Sequence, residues 1–480
     1  MEKQKPDLEW LFHPRSIGVI GSARMDKDAQ KVPHSFYFTV SLRSMNYRGP
    51  IYVVSRSRPS DVYGGEGVYR SIPDVPDPLD HVIVCTPAHA MPGVLEDCVR
   101  KGVRSAAIFS SGFEESEDRQ GARLQDEILE IARRGNIRVI GPNCMGLYCP
   151  ETGLNFRADL PNNPGVAGMI SQSGGMAIRT IFQGTEKGVG FSKVVSYGNE
   201  VDLQSWEILD YLAQDEATRL ILVYIEGTRD GRALLRSLKE ASGRKPVLLI
   251  KGGLCAEGRR AASSHTGAMA GSDHLWQAML RQTRTHPVRD VSELLDTAMT
   301  FYFLKRPTGR RIALMCISGG LIVNYTDLAV CHGFEIPAFA PDTKKALDEV
   351  IHAPGTSCAN PIDMASLFFS NRIYAPMFEA LDKDTNTDFI LFIIAMEYVR
   401  GLEYQYKVSV QQIVEAFLEI LAKVQKPFVV VIPPSIEEEC RLAVERALLK
   451  ARIPTFLTMD GALRALSARI EDPRQDAVSR

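Results

Sequence analysis

The stretch Gly165-Val-Ala-Gly-Met-Ile170-Ser-Gln-Ser-Gly-Gly175 decides how the chain is read. Gly165 to Ile170 reads as a strand, Ser171 to Gly175 as a turn, and the residues through Gly184 as a helix. A strand, a Ser/Gly turn and a helix are the local geometry in which backbone N–H groups gather around an anion at a helix N-terminus. A tight turn that needs glycine for its backbone gives the same letters, and this segment alone does not separate the two readings. Outward from it the alternation continues. Ser192 to Ser196 is a strand ending in Tyr197-Gly198-Asn199-Glu-Val-Asp202. Arg219 to Ile225 is another, ending at Glu226-Gly227, with Asp230 starting the next helix. Pro246 to Lys251 leads into Ala261-Ala-Ser-Ser264-His265-Thr-Gly267-Ala-Met-Ala-Gly-Ser-Asp273. One histidine there sits among small residues, in a stretch read as a loop whose backbone is free to swing. An imidazole so placed can accept a phosphoryl group and carry it. The plainer reading is an exposed histidine in a Ser/Gly-rich loop ahead of a helix near Ser272. Glu226 and the two Ser/Gly devices fall at the same edge of one sheet, and that convergence favours the carrier.

Toward the N-terminus, Ser16 to Ile20 is a strand delivering the turn Gly21-Ser22, and a helix-like segment runs from Pro33 to Met45. Strand candidates follow at Pro50–Val54, His81–Cys85, Ser105–Phe109 and Arg138–Ile140, with helical patterns at Met91–Lys101 and Arg119–Arg134. Such alternation argues for a parallel sheet with helices on its faces. The strands end in Ser55, Thr86-Pro87, Ser110-Ser111-Gly112 and Gly141-Pro142-Asn143. In open α/β sheets ligands sit at those carboxyl ends, so this part is built to hold a nucleotide-like molecule. Gly18-Val-Ile-Gly21 lacks the G-x-G-x-x-G spacing of a dinucleotide site, which argues against NAD.

At 480 residues the chain has room for three domains of about 150 residues. A formal charge of −2 supplies no electrostatic attraction for nucleic acid or an anionic membrane. The nine cysteines contain no C-x-x-C pair, so neither a zinc ribbon nor a disulfide scaffold is signalled, and no metal-ligand set is expected. With no signal peptide and no run long enough to span a bilayer, the chain reads as cytoplasmic and reduced.

After the connector Pro307 to Arg311, strands at Arg311–Ile317, Phe389–Met396, Phe428–Ile432 and Pro454–Leu457 alternate with helices at Lys344–Val350, Val410–Val424, Ile436–Ala451 and Gly461–Arg469. This is a second doubly wound unit. The first of these strands ends in Ser318-Gly-Gly320. Asn360-Pro-Ile-Asp363 reads as a turn near a helix start, and the polar tail from Asp472 to Arg480 as disordered.

In this order the pieces resemble the α subunit of the ADP-forming (NDP-forming) acyl-CoA synthetases, relatives of succinyl-CoA synthetase. The resemblance covers nearly the whole chain and weakens after about residue 305. Its most specific motif is Ala262-Ser-Ser264-His265-Thr-Gly267-Ala-Met-Ala-Gly-Ser272, which looks like the family's phosphohistidine loop. Tyr224-Ile-Glu226-Gly, Ile170-Ser-Gln-Ser173-Gly, Gly198-Asn199, Gly141-Pro-Asn143-Cys-Met-Gly146, Ser111-Gly-Phe113 and Asn360-Pro-Ile-Asp363 also match. The fold implied is α/β, a Rossmann-like CoA-binding domain over residues 1–150 followed by two flavodoxin-like doubly wound domains. Residues 151–305 would be the ligase domain with the phosphohistidine loop, and 306–480 a second flavodoxin-like ligase domain.

The resemblance implies a reversible ligase: carboxylic acid, CoA and ATP give acyl-CoA, ADP and phosphate through an acyl phosphate and a phosphohistidine. His265 would carry the phosphoryl group and Glu226 would hold its second ring nitrogen. Ser173, Gly174, Gly175, Ser264 and Gly267 would bind phosphate. Gly21, Ser22, Ser55, Arg58, Thr86, Pro87 and Ser111 would line the site for coenzyme A, with Asn143 near the thiol. Ser55 stands where members of the family usually have Asn, and the loop after Gly21 is longer than theirs. Nothing reads as an ATP-grasp module. The resemblance therefore implies a separate ATP-grasp β subunit holding ATP or ADP and Mg2+, in an α2β2 assembly. Two other readings compete: a non-catalytic CoA or acyl-CoA sensor on the same scaffold, which has no need of His265 and Glu226, and an NAD-linked oxidoreductase, which lacks its glycine fingerprint.

Overall fold

A computed structural model describes residues 7–21, 34–56, 67–116, 118–266, 273–352, 354–365, 371–399, 410–474 and 478, without the side chains of 263–266, 371, 410 and 413. The chain forms two compact units, Met1–Thr185 with Gly190–Leu294, and Glu186–Val189 with Leu295–Arg480.

Short apolar runs build the first sheet. Its strands are β1 (Ile17–Ile20), β2 (Ile51–Val54), β3 (Val68–Tyr69), β4 (His81–Val84), β5 (Ser105–Ile108) and β6 (Arg138–Ile140). Every residue of β1, β4 and β5 is buried, as a parallel sheet covered on both faces requires. The strands run parallel in the order β3-β2-β1-β4-β5-β6, which is the Rossmann order. Helix Met91–Lys101 turns Met91, Val94, Leu95 and Cys98 into the core and stops at Gly102, whose φ of 75° suits a residue without a Cβ. Helix Arg119–Arg134 starts at Asp118, whose carboxylate accepts the Gln120 N–H.

The second sheet belongs to the same unit. It comprises β7 (Gly146–Tyr148), β8 (Pro164–Ser171), β9 (Phe191–Ser196), β10 (Leu220–Ile225), β11 (Val247–Lys251) and β12 (His286–Pro287), in the order β12-β11-β10-β8-β9-β7. Only β7 is antiparallel among these pairings. The remaining five strands give the flavodoxin-like order, reversing between β8 and β10. Helix Gly174–Glu186 follows β8, and helix Gly231–Arg244 starts at Asp230, whose carboxylate accepts the N–H groups of Arg232 and Ala233. The stretch read as a loop around His265 differs. Its backbone through Thr266 belongs to helix Ala256–Thr266, and the next helix is Asp273–Arg281. Arg259, Arg260, Ala261 and Ala262 are strong helix formers, and they outweigh the serines that follow them.

The second unit carries β13 (Ile312–Cys316), β14 (Ile362–Asp363), β15 (Phe389–Ile393), β16 (Phe428–Val431) and β17 (Thr455–Phe456), all parallel, in the order β14-β13-β15-β16-β17. This is the flavodoxin-like order again. Phe378, Phe392, Phe417 and Phe428 meet largely edge to face in its core. Two expectations are corrected here. Asn360-Pro-Ile-Asp363 begins as a bend, as expected, but ends in β14, and Asn360 latches the sheet by donating to the carbonyls of Ile312 and Pro337 while accepting the Leu314 N–H. The tail is ordered at its start, because Asp472 is buried and ion-paired with Arg474.

Candidate functional site

The carboxyl ends of β4, β5 and β6 carry Thr86-Pro87, Ser110-Ser111 and Asn143. All of these line one cleft of about 510 Å³. The opposite wall comes from the second sheet. Gln172, Ser173, Gly174 and Gly175, at the turn from β8 into its helix, line the same cleft. His34, Phe109 and Met145 add apolar or aromatic surface, with the His34 and Phe109 rings 4.9 Å apart.

Glycines let the two walls approach. A Cβ on Gly174 would lie 2.5 Å from Met145 Cγ, so only glycine allows Met145 against the start of that helix. Gly198 has a φ of 54°, and a Cβ there would sit 2.2 Å from the Pro142 carbonyl oxygen. The backbone just after it is tied to the same loop: Asn199 N–H donates to Pro142 O at 3.0 Å and Val201 N–H to Gly141 O at 3.1 Å. Gly198 thus sets the position of Asn143 in the cleft. Gly198→Ala is expected to cost about 2 kcal/mol or more, read as a lower urea midpoint, because it adds left-handed strain to a backbone clash. An unchanged midpoint would contradict this account of the loop.

Side chains join the walls as well. Asn199 donates to Glu115 and Gln125 of the first sheet's domain, all three buried, and Arg229 pairs with Glu114. Glu115 in turn accepts the N–H groups of Gly112 and Phe113, at 2.7 and 3.2 Å, just beyond Ser111. Helix Ala256–Thr266 lies against the one-turn helix Glu114–Ser116. The backbone therefore brings the histidine-bearing helix up to the loop that follows Ser111.

Beneath the cleft, Gln172 Oε1 accepts two backbone N–H groups, from Glu226 at 2.6 Å and Gly227 at 3.0 Å. Glu226 is buried, and its Oε1 accepts the Tyr224 hydroxyl at 2.9 Å. Lys251 Nζ donates to the Glu226 carbonyl at 2.7 Å and lies 4.9 Å from the centre of the Trp276 ring. Burial lowers its pKa to about 8, against the raising effect of the Glu226 charge. Glu200, with a φ of 59°, is buried. Its Oε1 takes both the N–H and the hydroxyl of Ser205, while burial pushes its pKa up to about 7. Lys251 and Glu200 are both buried ionisable groups outside the set of expected site residues.

Thr86, Pro87, Ser111, Asn143, Ser173, Gly174 and Gly175 are brought together. Gly21 and Ser55 lie at the ends of β1 and β2 and are buried without lining this cleft. A Cβ on Gly21 would lie 3.2 Å from that of Cys85, which explains the glycine. Ser264 and His265 are placed by their backbone alone, in the last turn of helix Ala256–Thr266. Ser22, Arg58 and Gly267 lie outside the described residues. Gln172, Met145 and His34 are not among the expected residues. Gln172 and Met145 had a signal, the first between Ser171 and Ser173 at a strand end and the second inside the motif Gly141-Pro-Asn143-Cys-Met-Gly146.

A family described as a CoA binding domain matches residues 15–150, and a succinyl-CoA ligase like flavodoxin domain matches residues 164–301. The acetate–CoA ligase (ADP-forming) I subunit alpha of Pyrococcus furiosus is 31% identical over 471 residues, covering 96% of each chain. The chain belongs to the ADP-forming acyl-CoA ligase family. Acetate–CoA ligase (ADP-forming) I of Archaeoglobus fulgidus is 33% identical over 402 residues, and there the match takes in 82% of this chain but 56% of the longer relative. The acetyl-coenzyme A synthetase 1 of Ca. Korarchaeum cryptofilum, solved with phosphate and ADP, superposes with a TM-score of 0.81 at 27% identity, over 96% of this chain and 97% of that one. Family membership and strand order agree, with one Rossmann-like and two flavodoxin-like sheets. Among the described residues no helix is long and apolar enough to cross a membrane.

Proposed function

We propose that this member of the ADP-forming ligases binds CoA and carries the phosphohistidine of a reversible acid–CoA ligase. The overall reaction is carboxylic acid, CoA and ATP to acyl-CoA, ADP and phosphate. One observation carries the reading: a single cleft is lined both by strand ends of a Rossmann-like sheet and by the start of a helix from a flavodoxin-like sheet. The first suits the thiol end of CoA, with Asn143 beside it. The second suits phosphate, because the amides of Gly174 and Gly175 stand at the N-terminus of a 13-residue helix, while that of Ser173, also expected to serve phosphate, donates to Ser171 Oγ at 3.3 Å. Two buried polar atoms on this cleft, Thr86 Oγ1 and Gln172 Nε2, have no partner among the described residues, which fits a polar ligand.

In the ligase direction, a carboxylate oxygen attacks the phosphorus of phosphorylated His265 and the imidazole leaves. CoA then displaces phosphate from the acyl phosphate. Glu226 favours the protonated second ring nitrogen and so the charged carrier. Gly21, Ser22, Ser55 and Arg58 extend the CoA site, and Ser264 and Gly267 flank the carrier. We assign residues 1–150 to the CoA domain, 151–305 to the carrier domain and 306–480 to a second ligase domain. ATP or ADP with Mg2+ belongs to an ATP-grasp β subunit in an α2β2 cytoplasmic assembly. The near-complete match to a protein named as an alpha subunit supports a separate partner. Calorimetry with CoA and with NAD tests the cleft. CoA is expected to bind and NAD to give no heat; NAD binding without a CoA response would overturn the reading.

A further inference from the structure

We infer that the side-chain amide of Gln172 donates to the acyl carbonyl oxygen while CoA displaces phosphate, an inference that rests on the ligase reading above. The chemistry of its neighbours fixes which way the amide faces. Two backbone N–H groups, from Glu226 and Gly227, point at one of its terminal atoms, so that atom is the oxygen. The NH2 group is then committed to the other side. It is buried, only 1% of the residue is exposed, and Nε2 has no partner among the described residues. Gln172 lines the cleft, so this donor serves whatever binds there.

The ligand atoms can be told apart. Phosphate oxygens are served by the helix-start amides of Gly174 and Gly175. A thiol sulfur is a weak acceptor. The acyl carbonyl oxygen is the remaining strong acceptor, and it gains charge in the reaction. The CoA sulfur adds to the carbonyl carbon of the acyl phosphate, and the carbonyl electron pair moves onto its oxygen, where the Gln172 N–H holds it. The pair then returns, the carbon–oxygen bond to phosphate breaks, and inorganic phosphate leaves carrying the thiol proton. A donor aimed at that oxygen acts where the charge develops.

Q172E is the informative variant, because it keeps an acceptor for the Glu226 and Gly227 N–H groups while the donor becomes a carboxylate oxygen, which at neutral pH also brings a negative charge. In the full chain with its ATP-grasp partner, acetyl-CoA formation from acetyl phosphate and CoA is expected to fall about 100-fold or more, in kcat rather than KM. Labelling of the chain by radiolabelled ATP should fall less than tenfold. Part of the lost rate should return as pH drops toward about 5, where a neutral carboxyl group donates again. Full thiolysis by Q172E, or equal losses in thiolysis and labelling with no recovery at low pH, would overturn the inference. Failure of the parent chain to be labelled by ATP would count against the carrier assignment instead. The thiolysis comparison still decides the role of Gln172.

Discussion

His265→Ala is expected to abolish phosphoryl transfer to ADP, by roughly 10³-fold or more, while leaving CoA affinity unchanged. Removing the imidazole removes the nucleophile proposed for the phosphoryl group. The residues proposed to contact CoA, Thr86, Pro87, Ser111 and Asn143, line the other wall of the cleft, and the substitution leaves them in place. The carrier has to be stabilised without being trapped. The N-terminus of helix Gly174–Glu186 supplies partial positive charge, worth up to about 2 kcal/mol toward a phosphate in favourable geometry. Glu226, whose backbone N–H is held by Gln172 and whose carboxylate accepts the Tyr224 hydroxyl, is proposed to favour a protonated ring nitrogen. Glu226→Gln should therefore fall between the parent and the alanine variant, since an amide still accepts a hydrogen bond but carries no charge. A Glu226→Gln rate equal to the parent's would remove that role.

The second large effect concerns the partner. The purified chain is expected to make no acyl-CoA above background from ATP, acid and CoA, and to gain activity when an ATP-grasp subunit is added. Its three sheets are Rossmann-like and flavodoxin-like in strand order, and the proposed reading divides the cleft between CoA and phosphate and leaves the nucleotide to another module. A coupled assay for ADP with and without the partner reads the difference directly. Full activity from this chain by itself would mean that it holds a nucleotide site of its own.

Much of this was legible in the sequence, for physical reasons that differ by element. β1, β4, β5 and β8 are compact apolar runs ending in small residues, and such runs announce themselves locally. Asp230 marked a helix start because its side chain does what an N-cap does. β3, β12 and β14 are two residues long, and β7 three, and they exist because a neighbouring strand offers hydrogen bonds, so nothing in their own letters shows them. Helix Ala256–Thr266 was hidden by the serines around His265, although Arg259 to Ala262 favour a helix.

The site was legible as two half-lists and not as one cleft. Motifs located the strand ends of each sheet, because small residues after an apolar run are visible in one dimension. That Ser111 and Ser173 border the same space depends on contacts between distant segments, such as Asn199 with Glu115 and Gly198 with Pro142. Gln172 lay inside a recognised motif, but its role comes from which of its two terminal atoms is already engaged, which only the folded chain reveals.

The measurement that bears most directly on the carrier is a labelling experiment. The chain is incubated with its ATP-grasp partner and ATP radiolabelled in the γ-phosphate, then digested and mapped. The account predicts an acid-labile, base-stable label on the peptide containing His265, lost in the alanine variant and discharged by ADP. Label on any other peptide, or a His265→Ala variant that keeps its full rate, would contradict it.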